Sequence, residues 1–447
     1  MTPAARLSAA IEVIADIETR RRPAADALKD WGLAHRFAGS GDRAAIAGLV
    51  YDTLRRKASA AYLMENDSAR ATLLGMLRLE RSLDLVAIEK LADGSRFAPP
   101  PLSDAEQAQL RDGTLADAPP HVAGDYPEWL DPHLARVFGD ERAEEGVALA
   151  RRAPLDLRVN TLKADRDKAA RALAHLEPQP TRWSPTGLRI VLAPDARNVA
   201  VHAERAFVAG QVEVQDEGSQ LAALLSGARP GEQVVDLCAG AGGKTLALAA
   251  LMENHGQIFA TDLDKRRLAP IHDRLARAGT RNVQVKMPRA SPSPARGGGP
   301  GRGKAADDSL SKLAGHIDLV LIDAPCTGTG TWRRNPDAKW RVRPGALAER
   351  QKEQAAVLDR AAPLVRPGGR IAYVTCSLLA EENGDQVRAF IERHPGFAVA
   401  SPAALLAPLG ERALIFRQAV LVTDEGLQMT PRRTDTDGFF VSVLVRQ

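Results

Sequence analysis

The sequence predicts an α/β half preceded by an all-helical domain and a small α+β module, and three observations carry that expectation. From about Gly210 the runs QVVDLCAG, QIFATDLD, LVLIDAPC and RIAYVTCS are apolar and end in polar or small residues, with segments that can be helical between them. Alternating buried strands and helices imply a parallel sheet covered on both faces. Earlier, LDLRVNTL (155–162) and GLRIVL (187–192) alternate as strands do, around the helical DRDKAARALAHLE (165–177). From Ala4 to about Leu91 the spacing is helical, with Leu7, Ile11 and Ile14, then Ile46, Leu49, Val50 and Leu54. The expected domains are therefore 1–135, 136–210 and 211–447.

Within the first domain, Pro99 to Pro101 and the pair Pro119 and Pro120 are expected to end helical stretches, because proline lacks the amide and restrains the residue before it. The stretch 40–57 sets Arg43, Arg55, Arg56 and Lys57 at the ends of an apolar helix. Read from the residues alone, this is a solvated helix face. Pro132 to Arg152 is again helical. In the last domain, 289–309 is rich in Pro, Gly, Ser and Arg and cannot bury a core, so a surface insertion is expected.

Composition narrows the function classes. Three cysteines in 447 residues cannot build a disulfide framework, and their spacing matches no zinc pattern. A reducing compartment is expected, with no metal. The N-terminal stretch has no apolar signal core and no run is long enough to span a bilayer, which predicts a cytoplasmic protein with no membrane partner. A net charge of +4 and a pI near 9.0 suit a polyanionic partner. The same bias also arises in arginine-rich, alanine-rich chains encoded by GC-rich genes.

All three cysteines lie in motifs at predicted strand ends. In VVDLCAGAGGKT (234–245) a strand ends at Asp236, and a turn through Cys238, Ala239, Gly240, Ala241, Gly242 and Gly243 leads to a helix near Lys244. Glycines there let backbone approach a ligand and leave the helix N-terminal amides free. The spacing is not that of a phosphate-binding P-loop. The next strand ends in TDLD (261–264), where Asp262 is placed to accept hydrogen bonds from a ribose. An adenosine-containing cofactor follows, either a nicotinamide dinucleotide or S-adenosylmethionine.

The other two cysteines decide between them. DAPC (323–326) and TCS (375–377) end two later strands, and neighbouring strand ends would bring both sulfurs to one pocket. A pyrimidine is inert at C5 until a nucleophile adds to C6, and a thiolate does this well. The activated C5 can then take a methyl group, which selects S-adenosylmethionine. Cys376, at a strand end before an expected helix N-terminus, is the attacking thiolate. Asp323 holds the cytosine edge and stabilises the adduct or acts as base, and Cys326 assists product release. Cys238 serves the cofactor loop through its backbone.

DLCAGAGGK, TDLD, DAPCTGTGTWRRNPD and TCSLLAEENGDQV resemble the signatures of the RsmB/Sun/NOP family of RNA cytosine-5 methyltransferases, and QDEGSQLAALL (215–225) and DGFFVSVL (437–444) are also similar to family elements. The resemblance implies a class I, Rossmann-like methyltransferase domain. It implies Cys376 as nucleophile and Cys326 in release. It also implies S-adenosylmethionine held by Cys238 to Lys244, Asp262 and Asp323. Residues 1–135 resemble a NusB-type RNA-binding domain, which gives Arg55 and Arg56 a possible RNA role. The PLDLRVNTLK region resembles a small RNA-recognition-like module.

Two departures stand out. Ala241 replaces the usual proline of the loop. The aspartate expected after the third strand is missing from VQVKMPRA (283–290), where Met287, Pro288 and Arg289 stand; Asp307 or Asp308 would have to fold back to replace it. TWRRNPDAKWRVR (331–343) interleaves Trp332 and Trp340 with basic residues, so Arg333, Arg334, Lys339 and Arg341, together with Arg343, are expected RNA contacts. The resulting expectation is a monomeric cytosine-5 methyltransferase acting on bacterial small-subunit ribosomal RNA. Its alternatives are a transfer RNA substrate, or an RNA-binding ribosome-assembly factor with a vestigial methyltransferase fold.

Overall fold

The computed structural model describes residues 1–192, 199–287 and 310–447. The 289–309 insertion, with Arg289, Asp307 and Asp308, lies outside the described residues, as does Pro288. Two compact units divide the chain, one holding Met1–Ala153 and Thr329–Pro344, the other Pro154–Val191, Ala200–Gly328 and Gly345–Gln447. No helix among the described residues is long and apolar enough to cross a membrane.

The first unit is helical. Its opening helix, Pro3–Arg20, starts where Thr2 Oγ1 accepts the Ala5 amide at 3.1 Å, with proline at the position that needs no amide. Leu7, Ile14 and Ile17 on one face meet Ile46, Val50 and Leu54 of helix Ser40–Arg55 and Leu73, Leu74 and Leu77 of helix Ala69–Leu79. At Gly75 a Cβ would stand 2.8 Å from the Ala60 carbonyl, so glycine is what lets helices Lys57–Leu63 and Ala69–Leu79 cross closely. The prolines behave differently from expectation. Helix Leu85–Leu91 already ends before Pro99, and Pro120 opens a short helix, Pro120–Ala123, rather than closing one.

The basic tryptophan segment also departs from expectation. Trp332, Arg333 and Lys339 are buried within the helical unit. Lys339 Nζ donates to the carbonyls of Arg55 (2.9 Å) and Asp125 (2.6 Å). Arg55 Nη1 donates to the carbonyls of Arg333 (2.7 Å) and Arg151 (3.1 Å). Trp340 Nε1 reaches the Leu54 carbonyl at 2.7 Å, and Asp337 accepts the Ala24 amide at 3.2 Å. Arg333 and Lys339 are therefore corrected from RNA contacts to internal fasteners, because their side chains are withdrawn from solvent. Arg55 is corrected likewise, and Arg56 pairs with Glu80 at 2.7 Å. Of the four expected contacts, Arg334 stays partly exposed and Arg341 exposed, the latter paired with Asp337 at 3.0 Å.

The second unit begins with a four-stranded antiparallel sheet. Its strands are β1 (Leu155–Val159), β2 (Gln179–Pro180), β3 (Gly187–Ile190) and β4 (Val212–Val214), in the order β2-β3-β1-β4. Trp183, just before β3, is buried among Leu221, Val234 and Leu248, and its Nε1 donates to the Thr434 carbonyl at 2.8 Å. That indole fastens the small sheet to the larger one.

The larger sheet has a parallel centre made of β5 (Gln233–Asp236), β6 (Gln257–Ala260), β7 (Val283–Val285), β8 (Ile317–Asp323) and β9 (Val365–Thr375), in the order β9-β8-β5-β6-β7. Beyond β9 the chain adds antiparallel strands. These are β10 (Phe397–Val399), β11 (Leu421–Val422), β12 (Leu427–Met429) and β13 (Phe439–Arg446), with β13 paired to β9. Along β8, Leu319 and Leu321 enter one core layer while Val320 and Ile322 enter the other, so both faces are buried. This explains why the strands read as continuous apolar runs. The order reverses between β5 and β8, and ligands of open α/β sheets bind beyond the strand ends at such a point.

Lys339→Ala should lower the stability of the helical unit by about 3 kcal/mol, because the Arg55 and Asp125 carbonyls lose a buried donor. Burial pulls the Lys339 ammonium down to about 7, against attraction by Asp125 and with help from Arg55 and Arg56. The unfolded lysine still binds its proton up to its ordinary value of 10.5. Between those values the unfolded state holds more protons, so stability from this residue grows as pH rises. Urea unfolding followed by tryptophan fluorescence should show the gap between wild type and Lys339→Ala widening from pH 7 towards pH 10.

Candidate active site

The cofactor side is built on the turn after β5. Gly240 and Gly242 have φ of +50° and +86°, and a Cβ on Gly242 would stand 2.6 Å from Ile271 Cγ1. Both the left-handed backbone and the close packing exclude larger residues there. Asp262, just past β6, accepts the Gly240 amide at 2.9 Å through Oδ2 and the Asp264 amide at 2.8 Å through Oδ1. Each carboxylate oxygen keeps a further lone pair for a ligand hydroxyl. Helix Gly243–Leu251 then begins with its first amides at the turn.

Asp236 at the end of β5 is fully buried, accepts Thr245 Oγ1 at 2.7 Å, and is pushed up to about 7 by burial. Cys238 is pushed well above the usual thiol range by burial and by the charges of Asp236, Asp323 and Asp262. It therefore stays protonated, consistent with a loop residue that offers backbone. Lys244 is buried, lies 5.1 Å from the Phe439 ring, and pairs with Asp323 at 2.7 Å. That ion pair links the cofactor turn to the end of β8.

Arg274, on helix Ile271–Ala278, donates to the Ala241 carbonyl at 2.8 Å and to Glu213 at 3.1 Å. Residue 241 is thus braced by a side chain where the family pattern has proline. After β7 come Lys286 and Met287, so no carboxylate follows that strand among the described residues.

The two remaining thiols meet. Because β8 and β9 are parallel neighbours with Asp323 opposite Val374, the loops that leave them run side by side. Cys326 Sγ lies 3.3 Å from Cys376 Sγ. The Cys326 thiol is pushed well above its ordinary range, first by that hydrogen bond, then by burial and by the charges of Cys376 and Glu382. Cys326 therefore keeps its proton. The expected helix N-terminus is not directly behind Cys376, because helix Gly384–Arg393 begins only after a turn.

Glu382 holds both loops. Its buried carboxylate accepts the Thr327 amide at 2.8 Å, Thr327 Oγ1 at 2.5 Å and Ser377 Oγ at 2.5 Å. Gln354 Nε2 bridges Glu382 (3.1 Å) and the Pro325 carbonyl (2.8 Å). Asn383 accepts Thr375 Oγ1 at 2.5 Å and donates to the Ser377 carbonyl at 3.0 Å. The residues next to each thiol are thus tied to one carboxylate and its neighbour. Reading the sequence for reactive groups missed Glu382, Asn383 and Gln354, although the first two stand inside TCSLLAEENGDQV.

A glycine turn followed by a carboxylate just past the next strand, at the reversal point of a parallel sheet, and a C-terminal antiparallel strand beside β9, define a class I methyltransferase that uses S-adenosylmethionine. Residues 223–445 match the family described as 16S rRNA methyltransferase RsmB/F, and residues 126–196 match the ferredoxin-like domain of RsmF/B-like methyltransferases. A ribosomal RNA small subunit methyltransferase B of Sodalis glossinidius is 32% identical over 79% of this chain and 70% of its own length. A probable ribosomal RNA small subunit methyltransferase B of Synechocystis is 28% identical over 97% of both chains. Among solved structures, PH0851 superposes with a TM-score of 0.69 at 25% identity, covering 99% of each chain. The chain belongs to the RsmB/F methyltransferase family.

Glu382→Ala should destabilise the second unit by about 3 kcal/mol, since two hydroxyls, an amide and a side-chain amide lose a charged acceptor. It should also cut methyl transfer more than tenfold through kcat, with Glu382→Gln intermediate in both. Urea unfolding and steady-state kinetics check this, and unchanged kcat in the alanine variant would refute the clamp.

Proposed function

We propose that the chain methylates C5 of a cytosine in bacterial 16S ribosomal RNA through a covalent Cys376 adduct. The observation that carries the reading is the 3.3 Å pairing of Cys326 and Cys376 beside the Asp323–Lys244 ion pair. A methyltransferase acting on an already nucleophilic oxygen or nitrogen has no use for two adjoining thiols. S-adenosylmethionine, when bound by the turn Cys238 to Lys244 with Asp262, supplies the methyl group that C5 accepts.

The protein's own part is nucleophilic. Cys376 Sγ forms a bond to C6, and the displaced electron pair makes C5 carbanion-like. Asp323 holds the cytosine edge and stabilises the adduct, and Lys244 pairs with that carboxylate. Once C5 carries its methyl group, its proton leaves to a base. The electron pair of that C5–H bond restores the C5–C6 double bond as the C6–S bond breaks, with the C6–S pair leaving on sulfur. Cys326 donates its S–H to the departing Cys376 thiolate. The target base must leave its stack, because a duplex shields C6 from attack. Arg334 and Arg341 are proposed RNA contacts on the same chain, and the protein is read as a cytoplasmic monomer.

A second reading, an RNA-binding assembly factor with a vestigial fold, draws support from the missing acid after β7. Absence of measurable S-adenosylmethionine binding by calorimetry would favour it.

Cys376→Ala should abolish methylation and leave no RNA covalently bound. Cys326→Ala should instead accumulate a protein–RNA adduct that resists denaturing electrophoresis. Adduct formation by Cys376→Ala would reverse the two roles. Bisulfite sequencing of ribosomal RNA from cells with and without the gene should reveal the modified cytosine.

A further inference from the structure

Away from the thiols, the second unit holds a cavity of about 540 Å³ between the small sheet and helices Glu217–Leu225 and Gly243–Leu251. Arg158, Thr161, Ser184, Thr186 and Gln220 supply polar lining, with the exposed Glu253 also on the wall, and Leu162, Leu224 and Ala247 supply apolar wall. None of the proposed catalytic or cofactor residues lines it. Its size lies within the range of small-molecule sites, roughly 300–1,000 Å³.

Arg158 is the unusual member. It is only 4% exposed, yet its sole hydrogen bond among the described residues runs from Nε to Gln215 Oε1 at 2.6 Å. Its two terminal nitrogens have no partner there. The carboxylate opposite it in the sheet, Glu213, is already taken by Arg274 at 3.1 Å and by Arg277. Two other guanidinium groups thus hold the carboxylate nearest to Arg158 across the strands. Burial pulls Arg158 down to about 10, which leaves it cationic at neutral pH. A buried arginine normally spends its planar fork on a carboxylate or phosphate. A cavity lined by that arginine, by the hydroxyl-bearing Ser184 and Thr186 and by an apolar wall matches a phosphate attached to a base.

We propose that this cavity is a second nucleotide site, in which Arg158 binds the phosphate of a nucleoside monophosphate unit. The unit can be part of the RNA substrate or a free nucleotide, and only the first source rests on the RNA-methyltransferase reading.

The test uses the full-length protein with S-adenosylmethionine at saturation, so that the cofactor pocket is filled, and guanosine monophosphate as probe. Saturable binding by calorimetry is expected, weakened by inorganic phosphate. Arg158→Met should weaken it at least tenfold while leaving S-adenosylmethionine affinity unchanged. Leu224→Phe, which fills the apolar end without touching the charge, should weaken it as well and covers the case in which Arg158→Met fails to fold. Competition by a short single-stranded RNA that is lost with Arg158→Met identifies the RNA strand as the source; no competition identifies the free nucleotide. Absence of saturable binding in wild type, or equal affinity in wild type and both variants, overturns the proposal. Because no methylation is measured, a failure of the cytosine-5 reading would leave this result standing.

Discussion

Neither thiol sits in a regular element. Both occupy loops that leave the ends of β8 and β9, and such loops have no ladder of their own to fix a side chain. Their common support is the Glu382 carboxylate, which receives the amide and hydroxyl of Thr327 from one loop and the hydroxyl of Ser377 from the other. Charge-assisted hydrogen bonds of this kind are stronger than neutral ones, and burial makes their loss expensive. Parallel pairing of β8 and β9 brings the loops near each other; Glu382 converts nearness into a defined sulfur pair.

The site also distributes charge unevenly, and each group has a distinct state. Cys238 and Cys326 are held as thiols, the first by burial among carboxylates and the second chiefly by its bond to Cys376. Asp323 is paired with Lys244 and remains partly open to solvent. Asp236, deep beneath the turn, is raised by burial. Three chemically identical cysteines are thereby given different surroundings, and such differences are how active sites separate the roles of like groups.

The helical unit shows how a basic, aromatic stretch can mislead. In TWRRNPDAKWRVR the same residue types that stack on bases and neutralise phosphates also cap carbonyls and fill a core. Lys339 spends its donors on the Arg55 and Asp125 carbonyls, and Trp340 on that of Leu54. Interleaved tryptophan and arginine state what groups are available. They do not state whether the chain turns them towards water.

Much of the fold is local and therefore legible in the sequence. The parallel strands were readable because burial on both faces demands continuous apolar runs, and the helices because one buried face repeats every three or four residues. The cofactor turn was readable because Gly240 and Gly242 need backbone angles that other residues resist. Cys326 and Cys376 stood out as candidates because so few cysteines exist and each follows a strand end. Long-range placement was decided only by the tertiary structure. It set the 3.3 Å contact between sulfurs fifty residues apart, the clamp by Glu382, the bracing of Ala241 by Arg274, and the inward turn of Arg333 and Lys339. Periodicity and motif chemistry act over a few residues, whereas partner choice depends on which distant segments the packed core brings together.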